Sequence, residues 1–469
     1  MTGPDAVRAV ALAFLAAFGA PSRAHDAASP SEQLGSVSFA ASCQPEVQAT
    51  LERGVALLHS FWFREGERAF RDVLARDPDC AIAGWGIATT IIGNTFATGP
   101  NPARAQQAKE AIERSRATAR KTERERYFIE AVGQYYEPFA TRTHGQRMKS
   151  LSDAFEAVAQ RFPQDDEAQI FSAIYLTATQ PLTDQTYAAA LKAAAILEAQ
   201  FRKHPRHPGV AHYLIHSYDF PAIADKGIDA AKRYAQIAPS APHALHMPSH
   251  IFTRVGAWKD SAATNARSAS SARAQKEPND QLHAMDYTVY AYLQLGQDAQ
   301  ARQVLEQARA VTDFSKSVRG GPYALAAMPA RIALERGAWD EAAKLEPQES
   351  SFPFTRAQTY FARAIGAARS ADLAAAEAAV VELTRIGEGL KGKDAYWARE
   401  TEVQRLAGTA WIDFARGAGD KGLALMRSAA DLEDTSEKAG YYFSKLVGMA
   451  GDGVRSTDVQ VMRQYVARN

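Results

Sequence analysis

Alanine-rich segments that favour helix are interrupted by turn signals about 34–40 residues apart, a spacing typical of helical repeats. The clearest unit covers residues 242–274, where a first helix ends at Gly256 and a second begins at Trp258. Prolines mark where second helices stop, because proline cannot continue a helix. The recurring signals are Gly256, Gly296 and Gly337 at the turns, and Asp77-Pro78, Phe162-Pro163, His204-Pro205 and Ala238-Pro239 at the stops. The pattern predicts an all-α solenoid of about ten helix pairs over residues 45–434.

These turn residues resemble the tetratricopeptide repeat (TPR) family, in which a small residue occupies the helix turn, an aromatic residue follows and a proline closes the unit. The resemblance covers most of residues 45–434. It implies a right-handed α-solenoid whose first helices line a concave groove. The segment HALHMPSHI at residues 243–251 is also similar to the H-x-x-H-M-P-x-H-I segment of a bacterial exported subgroup.

Composition limits the classes of partner. The chain has 469 residues, of which 46% are hydrophobic and 23% charged, and its net charge is +1. A chain of this length is too long for one compact core unless it is a solenoid. The near-balance of charge gives no electrostatic reason to expect binding to nucleic acid or to an anionic membrane surface.

The N-terminus has the features of a secretory signal peptide over residues 1–24. Arg8 precedes an apolar run at residues 9–20, and Ser22-Arg23-Ala24 places small residues at the cleavage positions. The run is too short to span a bilayer, so we expect cleavage and no membrane insertion afterwards, with a non-cleaved anchor as the alternative. Residues 25–44 are then an N-terminal linker. These features predict a periplasmic or secreted protein.

Two further features concern the ends of the solenoid. The two cysteines, Cys43 and Cys80, precede successive repeats, so in an oxidising compartment they are candidates for a disulfide; two free thiols are the alternative. Residues 435–469 fit the repeat poorly and are expected to form a C-terminal cap or tail. Their glycines do not match the phosphate-loop pattern G-x-x-x-x-G-K-[ST].

Histidines are concentrated in the central repeats, where eight of the 11 lie between residues 204 and 283. His212 and His246 are separated by the repeat length of 34 residues, and so are His216 and His250. Each pair therefore occupies the same structural place in consecutive units. A spacing of four residues puts both members of an i,i+4 pair on one helix face.

The register extends over three first helices. His243, His246 and His250 lie 13, 10 and 6 residues before Gly256, and the next unit has polar residues at the same distances from its turn glycine. These equivalents are His283, Asp286 and Tyr290, before Gly296. In the family these places face the groove. The register ends in the following unit, where the equivalents are Ala324, Ala327 and Arg331.

Three interpretations compete. The histidines could be packing residues, although each buried imidazole then needs partners for two nitrogens. They could bind a transition-metal ion, because helices packed roughly 8–10 Å apart can bring imidazoles together. Nitrogen ligands with one carboxylate suit Zn, Cu, Ni or Fe rather than Mg or Ca. The candidate ligands are His212, His216, His243, His246, His250, His283 and Asp286.

The third interpretation is a groove for a peptide or a small organic acid, as in many TPR proteins. Arg254 and Arg331 could hold an anion there, because guanidinium groups suit carboxylates. Tyr290 and Asp219 complete the candidate ligand-binding residues. The remaining histidines, His59, His144, His204 and His207, are expected to be surface or loop residues.

The reaction, if there is one, stays open at this point. A metal ion with an open coordination position could activate water or dioxygen, with Asp286 or Asp219 as general base. A binding role is equally compatible with the residues. No H-E-x-x-H or G-x-S-x-G pattern is present, so zincin proteases and serine hydrolases are disfavoured.

Overall fold

The computed structural model describes residues 32–435, and this part of the chain is helical without strands. The predicted signal peptide, residues 1–24, and residues 436–469 of the predicted cap lie outside it. Two 3₁₀ helices, Pro45–Val47 and Ala224–Gly227, accompany the α-helices. The α-helices are α1 (Gln48–His59), α2 (Phe63–Arg76), α3 (Ala81–Ile92), α4 (Pro102–Ala117), α5 (Glu123–Tyr136), α6 (His144–Arg161), α7 (Asp166–Ala178), α8 (Ala188–Lys203), α9 (Pro208–Tyr218), α10 (Ile228–Ile237), α11 (Pro242–His246), α12 (Pro248–Arg254), α13 (Trp258–Ala274), α14 (Pro278–Gln294), α15 (Asp298–Arg309), α16 (Gly320–Glu335), α17 (Trp339–Ala343), α18 (Pro353–Arg369), α19 (Leu373–Leu390), α20 (Ala395–Ala415) and α21 (Gly419–Glu433).

Consecutive helices pack against each other in pairs, and first helices also contact the first helices of neighbouring pairs, as α14, α16, α18 and α20 do in sequence. Helices α11 and α12 together form one first helix, so α1–α21 make ten pairs. The turn glycines Gly256, Gly296 and Gly337 have φ values of 74°, 68° and 62°, a left-handed conformation that favours glycine. The predicted all-α fold of about ten helix pairs is confirmed.

The N-terminal segment is packed rather than a free linker. Phe39 is fully buried and stacks on Trp85, with ring centroids 5.3 Å apart. The Ser36 N–H donates to the Arg206 carbonyl, and the Ser240 N–H donates to the Gln33 carbonyl. Within the predicted linker at residues 25–44, residues 33–44 are held against the helix pairs by apolar burial and backbone hydrogen bonds.

The first helix pair also contacts the middle of the chain. Helix α1 packs against α9, and Phe61, in the turn after α1, lies against His212 and His243. Such contacts between distant repeats are not encoded in a local repeat pattern. They bring the N-terminal repeat to the histidine-rich helices.

Cys43 and Cys80 form a disulfide with a Cα–Cα distance of 4.6 Å, as favoured by their equivalent places in successive repeats. The bond ties the N-terminal segment to the start of α3. Within residues 32–435, none of the helices has both the length and the apolar character needed to cross a membrane.

Removing the disulfide should destabilise the protein. It closes a chain segment with a sequence separation of 37, so its loss in Cys43→Ala/Cys80→Ala should lower the free energy of unfolding by about 2–4 kcal/mol. Urea titrations with and without dithiothreitol measure the effect. Reductant should shift the midpoint of the wild type but not of the double variant; a reductant-insensitive wild type would contradict the bond.

Candidate metal centre

Six histidines meet where three successive first helices pack. Each of these helices begins with a proline: Pro208, Pro242 or Pro278. Proline suits this place because the first N–H groups of a helix have no partner within the helix. The six residues are His212 and His216 on α9, His243 and His246 on α11, His250 on α12 and His283 on α14. Four of them are at most 5% exposed, and His243 and His283 are partly exposed. The six histidines lie on successive first helices, as the spacing predicts. Most of their side chains are buried and do not line an open groove.

The histidines form two groups of three. The first triad is His212, His216 and His243; the second triad is His246, His250 and His283. In each triad, one ring nitrogen per residue lies within 4.8 Å of the others. The predicted ligand residues are therefore brought together, except for Asp286.

In the second triad, Nε2 of His246 lies 3.0 Å from Nε2 of His250. The other ring nitrogen of each residue has an oxygen partner: His246 Nδ1 lies 2.7 Å from Asn265 Oδ1, and His250 Nδ1 lies 2.7 Å from Asp219 Oδ2. The Asn265 amide nitrogen donates to the Ser261 carbonyl, which identifies Oδ1 as the atom facing His246.

These partners determine the positions of the protons. A carboxylate oxygen and an amide oxygen only accept, so both Nδ1 atoms must donate. In their neutral forms, His246 and His250 then carry lone pairs on Nε2, and two lone pairs face each other at 3.0 Å. Such a contact is repulsive unless a proton or another cation lies between the nitrogens. The geometry is that of two ligand atoms directed at a common cation, each oriented by an oxygen behind it.

The first triad repeats this arrangement. His212 Nε2 lies 3.1 Å from His216 Nε2, and His212 Nδ1 donates to the His59 carbonyl over 2.6 Å. The equivalence of the two i,i+4 pairs, inferred from their 34-residue separation, thus appears in their contacts. Phe61 packs against the His212 ring at 4.4 Å, and Phe96 stacks on His216 at 4.3 Å.

Asp219 supports the second triad. It is fully buried after the end of α9, and it accepts from His250 and from Arg254 Nε, the latter at 3.0 Å. Burial opposes its charge, but His250 and Arg254 hold the pKa of Asp219 below its usual value, so it is ionised at neutral pH. Asp219 therefore positions His250 and neutralises Arg254.

Three other predicted residues form a separate group. Asp286 pairs with Arg331 over 2.5 Å, with both side chains buried. Tyr290 lies beneath Arg331 and packs edge-on against Trp258. Asp286 is thus engaged by an arginine and does not join either triad, although it lies on the same helix as His283.

His59 and His207 form a buried network with Glu167. The prediction that these two histidines lie at the surface or in loops is therefore wrong. Their Nε2–H groups donate to the two oxygens of Glu167 over 2.9 Å, and Tyr213 donates to His59 Nδ1 over 2.9 Å. Burial opposes the charge of Glu167, but the two histidines hold its pKa far below the usual value. The network fixes the end of α1, whose His59 carbonyl holds His212.

Two further histidines of residues 32–435, His204 and His144, lie apart from the triads. His204 is exposed by 42% and contacts Asp166, which agrees with a surface position. His144 begins α6 and is hydrogen-bonded to Tyr135. The spacing of His59 and His207 gives no signal of their cluster, because their partner Glu167 is 108 and 40 residues away.

Burial keeps five of the six histidines neutral. It lowers the pKa of His212 and of His283 to about 3. It also lowers the pKa values of His216, His243 and His246 well below their usual value, with neighbouring histidines adding to the effect. A neutral imidazole is the form that binds a metal ion.

No protein-family model and no curated protein matches the chain. Among solved structures, a chain of the APC/C hetero-tetramer Cut9–Hcn1 shares 11% identity and covers 85% of this chain and 76% of its own length, with a TM-score of 0.37. The TPR domain of P58(IPK) shares 10% identity over 90% of this chain and 99% of that domain, with a TM-score of 0.23. These likenesses carry no functional argument, and the similarity to the H-x-x-H-M-P-x-H-I subgroup stays a prediction.

Acidification should destabilise the metal-free protein. The pKa values of His212 and His283 are about 3 in the folded state and about 6.5 when unfolded. The unfolded state therefore binds more protons between these values, and stability falls as pH drops from about 6.5 toward 3, by up to about 1.4 kcal/mol per pH unit for each histidine. Urea midpoints of chelator-treated protein between pH 7.5 and 4.5 measure this loss.

The matched variants separate these histidines from other titrating groups. His212→Asn/His283→Asn should show a shallower dependence of stability on pH than the wild type, and His204→Asn, at an exposed site, should keep the wild-type dependence. Equal slopes for all three proteins would contradict the assignment.

Proposed function

We propose that this protein is an exported helical-repeat protein that binds a transition-metal ion at the second triad, His246, His250 and His283. The observation that carries the proposal is the 3.0 Å contact between Nε2 of His246 and Nε2 of His250, whose Nδ1 atoms both donate to oxygen acceptors. A cation between the nitrogens converts a repulsive contact into two ligand bonds. His283 supplies the third nitrogen.

The donor set selects the class of ion. Three imidazoles suit Zn, Cu, Ni or Fe, whereas Mg and Ca prefer oxygen ligands. Asp219 behind His250 and Asn265 behind His246 match the oxygen partners that orient metal-binding imidazoles in proteins. When bound, a three-histidine ion with an open position supplies Lewis acidity toward water or a substrate.

The other interpretations have less support. Packing alone explains the oxygen partners of Nδ1, but it explains the facing Nε2 atoms only if a proton lies between them. An anion-binding groove would need Arg254 and Arg331, and these side chains already pair with Asp219 and Asp286. Export is part of the proposal because the Cys43–Cys80 disulfide suits an oxidising compartment.

Metal analysis of untagged protein tests the proposal directly. Wild-type protein should retain Zn or Cu after gel filtration, measured by mass spectrometry of the metal content, and added metal should raise its melting temperature. His246→Ala/His250→Ala should lose both effects. His204→Asn, at an exposed histidine outside the triads, is the control and should behave as the wild type.

Two results would count against metal binding. Wild-type protein without bound ion and without stabilisation by Zn or Cu would reject it. Unchanged metal content in His246→Ala/His250→Ala would remove these two residues from the site, and the packing account would then be favoured if the variant also lost stability.

A comparison of two buried aspartates tests the positioning of His250. Asp219→Asn removes the charged acceptor behind His250 and should weaken metal binding about 10–100-fold, a typical effect for residues that orient ligands. Asp286→Asn also breaks a buried pair with an arginine, but it should lower stability with little change in affinity. Competition titrations with a chromogenic chelator measure both dissociation constants, and a larger loss in Asp286→Asn would instead support Asp286 as a ligand.

A further inference from the structure

The first triad, His212, His216 and His243, shares with the second a facing pair of Nε2 atoms and an oxygen acceptor behind one ring of that pair. We propose that it holds a second transition-metal ion beside the first, so that the six histidines form a dinuclear centre with three imidazoles for each ion. The proposal rests on the proposed function and deepens it. It adds a second binding site and a fixed stoichiometry.

The two i,i+4 pairs have matching geometry. Their Nε2–Nε2 distances are 3.1 Å for His212 and His216 and 3.0 Å for His246 and His250. His212 Nδ1 donates to the His59 carbonyl, and because a carbonyl oxygen only accepts, His212 Nε2 carries a lone pair. The first triad thus has a facing Nε2 pair at the same place one repeat earlier, with an oxygen acceptor on Nδ1 of His212.

His243 gives an independent indication of a ligand. Its Nε2 atom is buried and has no hydrogen-bond partner among residues 32–435. A buried polar atom without a partner is destabilising, so such atoms are rare unless something else satisfies them. The ligand atom of His243 lies within 4.8 Å of those of His212 and His216. An ion between the three nitrogens would satisfy it.

The two triads are immediate neighbours. Ring centroids across the boundary are 6.1 Å apart for His216 and His250, and 5.9 Å for His243 and His246. Within the triads, the rings of the i,i+4 pairs are 4.8 Å and 4.9 Å apart. The triads are therefore close enough for ions held by them to be neighbours, as in known two-metal sites.

Charge favours one metal among the candidates. The two triads contribute six imidazoles and no carboxylate, and the nearby carboxylate of Asp219 is already balanced by Arg254. Two divalent ions would repel each other strongly in this buried place. Copper tolerates nitrogen-only ligand sets, binds them tightly as Cu(II) and can also be present as a monovalent ion. Copper is therefore the ion we assign to the dinuclear centre.

Copper loading of the untagged full chain tests the assignment. Protein is loaded anaerobically with Cu(I), freed of excess copper, and its copper content measured; the loaded protein is then oxidised with ferricyanide, and the electron paramagnetic resonance spin count of its Cu(II) is compared with its copper content. We expect two copper ions per chain. Magnetic coupling between two Cu(II) ions should make the spin count fall clearly below the copper content.

Two variants at equivalent places separate the sites. His243 and His283 each lie 13 residues before a turn glycine, and each is the partly exposed member of its triad. His243→Ala and His283→Ala should each retain one copper, with a spin count equal to the copper content because the remaining Cu(II) ion has no neighbour. His204→Asn should retain two coupled ions. If an alanine variant does not fold, the asparagine variant takes its place.

The outcomes distinguish the two proposals. One copper per wild-type chain, with full spin count and no change in His243→Ala, overturns the dinuclear centre and leaves the proposed function intact. No copper in the wild type overturns the dinuclear copper centre, and it overturns the proposed function as well if zinc is not bound either. Two copper ions whose spin count equals the copper content would place the second ion away from the first, and would also overturn the dinuclear centre.

Discussion

A buried imidazole has two ring nitrogens, and each needs a partner once water is excluded. This requirement governs the centre of the protein, where six histidines pack together. The Nδ1 atoms of His212, His246 and His250 meet it with oxygen acceptors from three different parts of the chain. Nε2 of His212 faces Nε2 of His216, and the Nε2 atoms of His246 and His250 face each other. The surrounding helices can pack closely because these oxygens hold the rings in place.

The solenoid supplies those oxygens by two routes. Asn265 comes from the second helix of the same repeat as His246, and Asp219 from the end of the preceding first helix, so both follow from packing between adjacent helices. The His59 carbonyl comes from the first repeat, because α1 packs against α9. The Glu167 network with His59 and His207 stabilises that contact by satisfying a buried carboxylate with two histidine donors.

The features that could be predicted from the sequence are those that depend on local spacing. The turn glycines with positive φ, the helix pairs and the grouping of His212 with His216 and of His246 with His250 all depend on spacing within one or two repeats. The features that could not be predicted depend on contacts between distant parts of the chain. The burial of His59 and His207 and the pairing of Asp286 with Arg331 depend on residues up to 108 positions away, and no helical period encodes them. Asp286 lies in the same register as the histidines, but its carboxylate pairs with Arg331 and is not directed at either triad.

The hydrogen bond from His212 to the His59 carbonyl joins residues 153 positions apart. The first triad therefore reaches its final geometry only after the N-terminal repeat has docked onto the fifth, a contact of high sequence separation that forms slowly compared with contacts inside a repeat. Repeats can fold from their neighbours alone, but this centre cannot. The first triad is therefore completed only when helix α1 is docked on α9. A ligand bound at this triad would stabilise the docked arrangement.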